Sequence, residues 1–219
     1  MGFYAESSGD FERCPPGMHL ARCYSIIDLG TQKTEYMGAI KFLHKVRFNW
    51  EIHGTDDDNK PILMKDNRLF SVNKDYTLSW GDKANLRLDL QSWRGKPFSQ
   101  EEMRRFDLKN VLGAWCMLNV FERPAKTGDK IYTNVDSVSP VPSMIKKNGY
   151  PDPHNETVIF NLKEFDLEVF NKFHDYLKQK IMLSPEYQKL NTVDRDAEEE
   201  LNRQPQAPDF VDEDDIPFN

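Results

Sequence analysis

Long apolar runs are missing from this sequence. None approaches the roughly 20 residues that cross a bilayer, and a hydrophobic content of 38% belongs with water-soluble chains. The start, Met1-Gly2-Phe3-Tyr4-Ala5-Glu6, lacks the basic then apolar pattern of a secretion signal. The expected location is the cytoplasm of the cell that makes the protein, away from membranes, so the sequon Asn155-Glu156-Thr157 carries no meaning. Cysteine is scarce too: Cys14, Cys23 and Cys116 are odd in number and have no C-x-x-C spacing, which reads as free buried thiols. His19, His44, His53, His154 and His174 form no ligand-spaced pair on one helix face, so no metal or other cofactor is expected. Lys126-Thr127-Gly128 lacks the glycine spacing of a phosphate loop. Asp107, Glu122 and Asp136 are scattered rather than clustered as a metal-dependent nuclease requires. No nucleophile signature occurs, no catalytic residue is assigned, and the chain reads as a non-enzyme.

Negative charge is present but concentrated. The net charge of the whole chain is -7. From Asp194 to Asn219 ten acids oppose only Arg195 and Arg203, so that segment carries -8 and residues 1–193 carry +1. A nearly neutral body can still present a basic stripe on an acidic background.

The stretch Ile40 to Ile52 fits such a stripe. Ile40, Phe42, His44, Val46, Phe48, Trp50 and Ile52 alternate with Lys41, Leu43, Lys45, Arg47, Asn49 and Glu51. That period predicts a strand with its even side in a core and a basic side in water. At thirteen residues and about 3.3 Å each it runs about 43 Å, too long to stay straight in a small barrel, so a bend or bulge is expected.

The rest of the chain supplies the neighbours. Pro15-Pro16-Gly17 is a turn, His19 to Ile27 alternates as a first strand, and Asp28 to Thr31 reads as the turn after it. Gly54 to Asn59 is a loop. Pro61 to Val72 contains a third extended piece that Tyr76 to Trp80 continues. Leu86, Leu90 and Trp93 form a helix stripe ended by Gly95 and Pro97. Ser99 and Glu102 form a capping box that opens a helix to about Phe106. Val111 to Phe121 and Lys130 to Val138 make a hairpin, residues 143–156 a loop, and Thr157 to Leu162 a short strand. A helix from about Leu167 to Ile181 presents Phe170, Phe173, Leu177 and Ile181 on one face, and Ser184-Pro185-Glu186 starts a last turn or two. The expected fold is mainly β with added helices over residues 1–192. Three strands, a helix, then a hairpin match the order of the five-stranded Greek-key barrel called the OB-fold. Other α+β topologies produce the same string.

Residues 193–219 read as a disordered acidic tail, with too few apolar side chains to offset chain entropy. Its last part, Asp212-Glu213-Asp214-Asp215-Ile216-Pro217-Phe218-Asn219, places a small apolar plug after four acids. This pattern resembles the C-terminal tip of bacterial and phage single-stranded DNA-binding proteins. Two body stretches agree: Ala21-Arg22-Cys23 leading into Ile27-Asp28-Leu29-Gly30-Thr31-Gln32, and Leu90 through Ser92-Trp93-Arg94-Gly95-Lys96-Pro97-Phe98. They resemble a family of tailed-bacteriophage single-stranded DNA-binding proteins over most of residues 18–140. The resemblance implies an OB-fold, a role in DNA replication, recombination or repair, and a tail from Asp212 to Phe218 that recruits replication or recombination proteins. The bacterial pattern ends on its phenylalanine, whereas here Asn219 follows Phe218 and moves the α-carboxylate one residue away.

Binding a single strand without sequence choice takes cations for phosphates and aromatic faces for bases. Lys41, Lys45 and Arg47 supply cations on the basic strand, with Arg22 and Tyr24 on its neighbour. The hairpin loop adds Arg123, Lys126 and Lys130, with Phe121 and Tyr132 at its base. Arg94 and Lys96 form a third group. Trp80, Trp115 and Tyr24 are ambiguous, because one bulge inverts the face on which each lies, while Trp93, Trp50, Phe42 and Phe48 read as core. Two other classes stay open: a metal-dependent nuclease, and an adaptor that works through the tail and binds no DNA.

Overall fold

A computed structural model describes residues 12–36, 38–56, 58–124 and 131–190. The tail from Asp212 to Phe218, and Lys126 and Lys130 in the hairpin loop, therefore lie outside the described residues.

The molecule is mainly β. An open sheet of six strands runs in the order β3 (Ser71–Thr77), β2 (Ala39–Ile52), β1 (Gly17–Tyr36), β4 (Trp115–Pro124) and β5 (Ile131–Ser139), each antiparallel to its neighbour. The sixth, β6 (Val158–Phe160), pairs parallel with Ser25–Ile27 of β1. It takes the edge that β4 leaves free beyond Arg22. Helices α1 (Asn85–Arg94) and α2 (Gln100–Arg105) fall between β3 and β4. The helices α3 (Ser143–Asn148), α4 (Leu167–Asn171), α5 (Asp175–Met182) and a final turn at 185–190 follow β5.

The main core lies on one face of the sheet. Val46, Phe48, Trp50 and Ile52 of β2 meet Ala21, Cys23 and Ile26 of β1, Cys116, Leu118 and Val120 of β4, and the Leu86, Leu90 and Trp93 stripe of α1. The α1 stripe thus forms as its period predicts. So does the capping box, where the Ser99 hydroxyl accepts from the Glu102 amide and the Glu102 carboxylate accepts from the Ser99 amide. A second cluster lies across β1, where Ile27 and Leu29 pack with Phe160, Leu162, Phe170, Leu177 and Ile181. One strand therefore serves two cores.

Several boundaries differ from expectation. The turn expected at Asp28–Thr31 does not reverse the chain. β1 runs through it as a bulge between Asp28 and Gly30, where Gly30 takes φ +66° and its amide donates to the Asp28 carboxylate at 2.9 Å. A second register shift falls between Cys23 and Ser25. The irregularity expected of the long basic strand is thus carried by its partner. Pro61 to Phe70 forms only isolated bridges, with β3 starting at Ser71. Residues 143–148 are helical rather than loop. The helix expected over Leu167–Ile181 is two helices, because the break at Lys172–His174 lets Phe170 and Phe173 both reach the Phe160 ring.

Candidate nucleic-acid interface

Register decides which side chains of the basic strand reach water. From Val46 to Ile52 the even residues are buried as the alternation predicts, but Ile40 and Phe42 are 53% and 67% exposed. They belong to the far end of the β1–β2 ribbon, where Lys33 pairs with Phe42 and Thr34 with Lys41, beyond the reach of either core. The assignment of Phe42 to the core is corrected accordingly. Lys33 and Lys41 are exposed beside it, and neither makes an ion pair among the described residues. A strand too long for its core was the signal that could have found this arm.

The β4–β5 hairpin is a second arm. Arg123 pairs with Tyr132 and Phe121 with Asn134 on its outer side, while Val120, Val135 and Val138 turn inward. Phe121, Ile131 and Tyr132 are 37%, 40% and 54% exposed. Both β2 and β4 run antiparallel to β1, so the two arms project from opposite ends of the sheet.

Between them, the outer side of β2 and β3 holds a cationic cluster. Arg47 grips Asp75 with two bonds of 2.6 and 3.0 Å, Lys180 of α5 reaches the same carboxylate at 2.6 Å, and Lys45 donates to the Thr77 hydroxyl at 2.7 Å. Three cations thus surround one acid. Burial lowers the Lys45 pKa, Asp75 pulls it back up, and Lys180 pushes it down again. Burial raises the Asp75 carboxyl, but Arg47 and Lys180 bring it below its ordinary value. A niche with cations in excess is suited to an anion.

Other expected binding residues stand apart from this face. Arg22 is buried, donating to Glu51 at 3.1 Å and to the Asn155 carbonyl at 3.0 Å, so it is a structural cation. The Tyr24 hydroxyl is bonded to Ser71 at 2.8 Å. Trp80 packs edge-on to Phe98 and Phe106 at 5.2 and 5.7 Å, at the border of the core. Arg94 pairs with Glu102 at 2.6 Å and covers the Phe98 ring, while Lys96 is exposed on the loop after it. Trp115 stacks on Tyr150, which lies beyond α3. Neither Tyr150 nor Lys180 was singled out by the sequence reading, since nothing local marks either one.

Among the described residues, no three His, Cys, Asp or Glu side chains come together as a metal ion requires. No described helix is long and apolar enough to cross a membrane. No family model matches the chain, and no curated protein matches it.

Proposed function

We propose that the protein binds single-stranded DNA without reading its sequence, the strand crossing the outer side of β2 and β3 from one arm to the other. The observation that carries this reading is the pairing of exposed rings with free cations on both arms. Phe42 lies across from Lys33, with Lys41 next to it in the chain on the other face of the arm, and Phe121 and Tyr132 lie with Arg123. Rings on exposed arms add nothing to a core, but each base stacked on one contributes about 1–3 kcal/mol. The Lys45, Arg47 and Lys180 cluster supplies the phosphate contacts between them.

The strand order also supports the OB-fold reading. The path β3-β2-β1-β4-β5 with α1 between β3 and β4 is compatible with that reading. Its two ends approach, with Lys74 of β3 donating to the Asp136 carbonyl of β5 at 2.9 Å. On this reading the protein serves phage DNA replication, recombination or repair, and the acidic stretch from Asp212 to Phe218 recruits partner proteins.

Binding of labelled oligo-dT measured against salt tests the proposal. Four or five phosphate contacts on a single strand predict a slope of log K on log salt near −3, at about −0.7 per contact. Duplex DNA of the same length is expected to bind more weakly. Salt-insensitive or absent binding overturns the reading in favour of an adaptor, and Mg²⁺-dependent loss of the oligonucleotide overturns it in favour of a nuclease.

A further inference from the structure

The strand path proposed above leaves one aromatic cleft unused. It lies between α1 and the segment that follows β5, and it encloses about 400 Å³, within the usual range for small-ligand sites. Through Arg94, Phe98, Phe106 and Asn110 it continues into a more open depression beside α2.

Two aromatic pairs line it. Trp115 and Tyr150 stack with centroids 4.9 Å apart and planes 2° from parallel, and Phe98 meets Phe106 edge-on at 4.9 Å. Trp115 is fixed from behind, since its carbonyl accepts the Trp93 indole N–H at 2.9 Å and its ring meets His53 at 4.8 Å. Tyr150 is 41% exposed. The side chains of Asn110, Lys146 and Tyr150 border the cleft without a hydrogen-bond partner among the described residues. Arg94, which is paired with Glu102 at 2.6 Å, lies over the Phe98 ring, 4.1 Å from its centre.

This combination narrows the ligand. A purely apolar guest leaves Lys146 and the free amide of Asn110 unanswered. A bare inorganic anion leaves the rings unused. A base joined to a phosphate answers both, by stacking on the rings and by charge-assisted bonds to Lys146.

We propose that the cleft takes one nucleotide, its base against the Trp115 and Tyr150 rings and its phosphate toward Lys146, with Arg94 close by. The inference rests on the DNA-binding reading where the nucleotide belongs to a bound strand. A free mononucleotide presents the same chemistry.

Photo-crosslinking of the full chain to oligo-dT carrying 5-iodouracil, with the crosslinked residues mapped by mass spectrometry, tests the site. Titration with dTMP alone, read by tryptophan fluorescence, runs beside it. Crosslinks at Trp115 or Tyr150 are expected. Tyr150→Ala and Lys146→Glu, both at exposed positions, are each expected to weaken oligo-dT binding about tenfold. If dTMP quenches and Tyr150→Ala abolishes the effect, the cleft takes free nucleotide as well. If only the oligonucleotide acts, it takes a nucleotide of the strand. Crosslinks confined to Phe42, Phe121 or Tyr132, with both variants binding normally, overturn the cleft and leave the sheet reading standing. Quenching by dTMP without oligo-dT binding does the reverse. A peptide of residues 212–219 that fills the cleft and resists displacement by dTMP and oligo-dT also overturns the proposal.

Discussion

Arg22 of β1 and Glu51 of β2 face each other in the β1–β2 register with 3.1 Å between Nη1 and Oε1, and both side chains are buried. Glu51 also accepts from His53, from the His154 and Asn155 amides, and from the Asn155 side chain. Burial pushes its carboxyl up, but the Asn155 amide, His53, the Asn155 side chain and the His154 amide together bring it below the ordinary value. Breaking a buried pair leaves one charge uncompensated, at a cost of about 3–5 kcal/mol. Arg22→Met is therefore expected to lower the urea midpoint sharply while the folded fraction keeps its oligo-dT affinity. A variant of normal stability but weak binding would return Arg22 to the interface.

Phe42 behaves in the opposite sense. A ring 67% exposed has little to lose on truncation, so Phe42→Ala should shift stability by about 0.5 kcal/mol or less. Affinity for oligo-dT should fall by about 1–3 kcal/mol, the worth of one stacked base. Phe48→Ala, six residues along and in the core, should cost about 3–5 kcal/mol of stability instead. Chemical denaturation and anisotropy on both variants make the comparison.

The contrast marks where local pattern stops being informative. Alternation identified β2 to within a residue, and the α1 stripe and the Ser99–Glu102 box depend only on near neighbours, so all three were legible. Where a strand outruns its core is set by what packs on it. The second core, which ends short of Phe42, is built largely from Phe160, Leu162, Phe170, Leu177 and Ile181, more than a hundred positions away. Asp28–Thr31 had turn composition, yet a glycine at positive φ serves a bulge as readily as a reversal. Arg47 read as a free cation because its neutralising partner, Asp75, is on another strand and Lys180 on a distant helix. Charge in sequence is local, and its pairing is not.

His44 gives the fold a pH dependence of known sign. Its Nε2 lies 2.6 Å from Asp28 and its Nδ1 3.6 Å from Glu186, with Lys163 also nearby. The hydrogen bond to Asp28 raises the imidazole pKa, burial lowers it, and the charges of Asp28 and Glu186 raise it further against Lys163. A group with a raised folded pKa stabilises fully below its unfolded value and loses that contribution as pH climbs through the folded one. Measured against His44→Gln, the wild type should therefore lose relative Tm as pH rises from about 6.5. A constant difference between the two across that range would disconnect His44 from stability.

Gly30 and Gly38 offer a paired test of backbone strain. Both sit at positive φ, +66° and +77°. A Cβ on Gly30 would meet Ser184 Cβ at 2.5 Å, whereas one on Gly38 meets nothing within 4 Å. Gly38→Ala should cost about 1–2 kcal/mol from the left-handed conformation alone. Gly30→Ala should cost more, by displacing Ser184 and the Glu186 carboxylate that accepts from the Thr31 amide at 2.8 Å. Equal Tm losses in the two variants would contradict the close approach.

The segment from Asp194 onward, at -8, competes with DNA for the cationic face on the proposed reading. Deleting residues 194–219 is expected to tighten oligo-dT binding at low salt, with the gain fading as screening rises. Unchanged affinity across the salt range would remove this competition.

The double service of β1 reaches back to synthesis. Its Ser25–Ile27 edge waits for Val158–Phe160, which leave the ribosome roughly 130 residues later. At about 5–20 residues per second that interval is on the order of ten seconds. Throughout it, β1 presents unpaired amides and carbonyls next to Ile27 and Leu29, the template on which foreign strands add. The nascent chain is thus open to misassembly at a strand that the finished fold pairs on both edges.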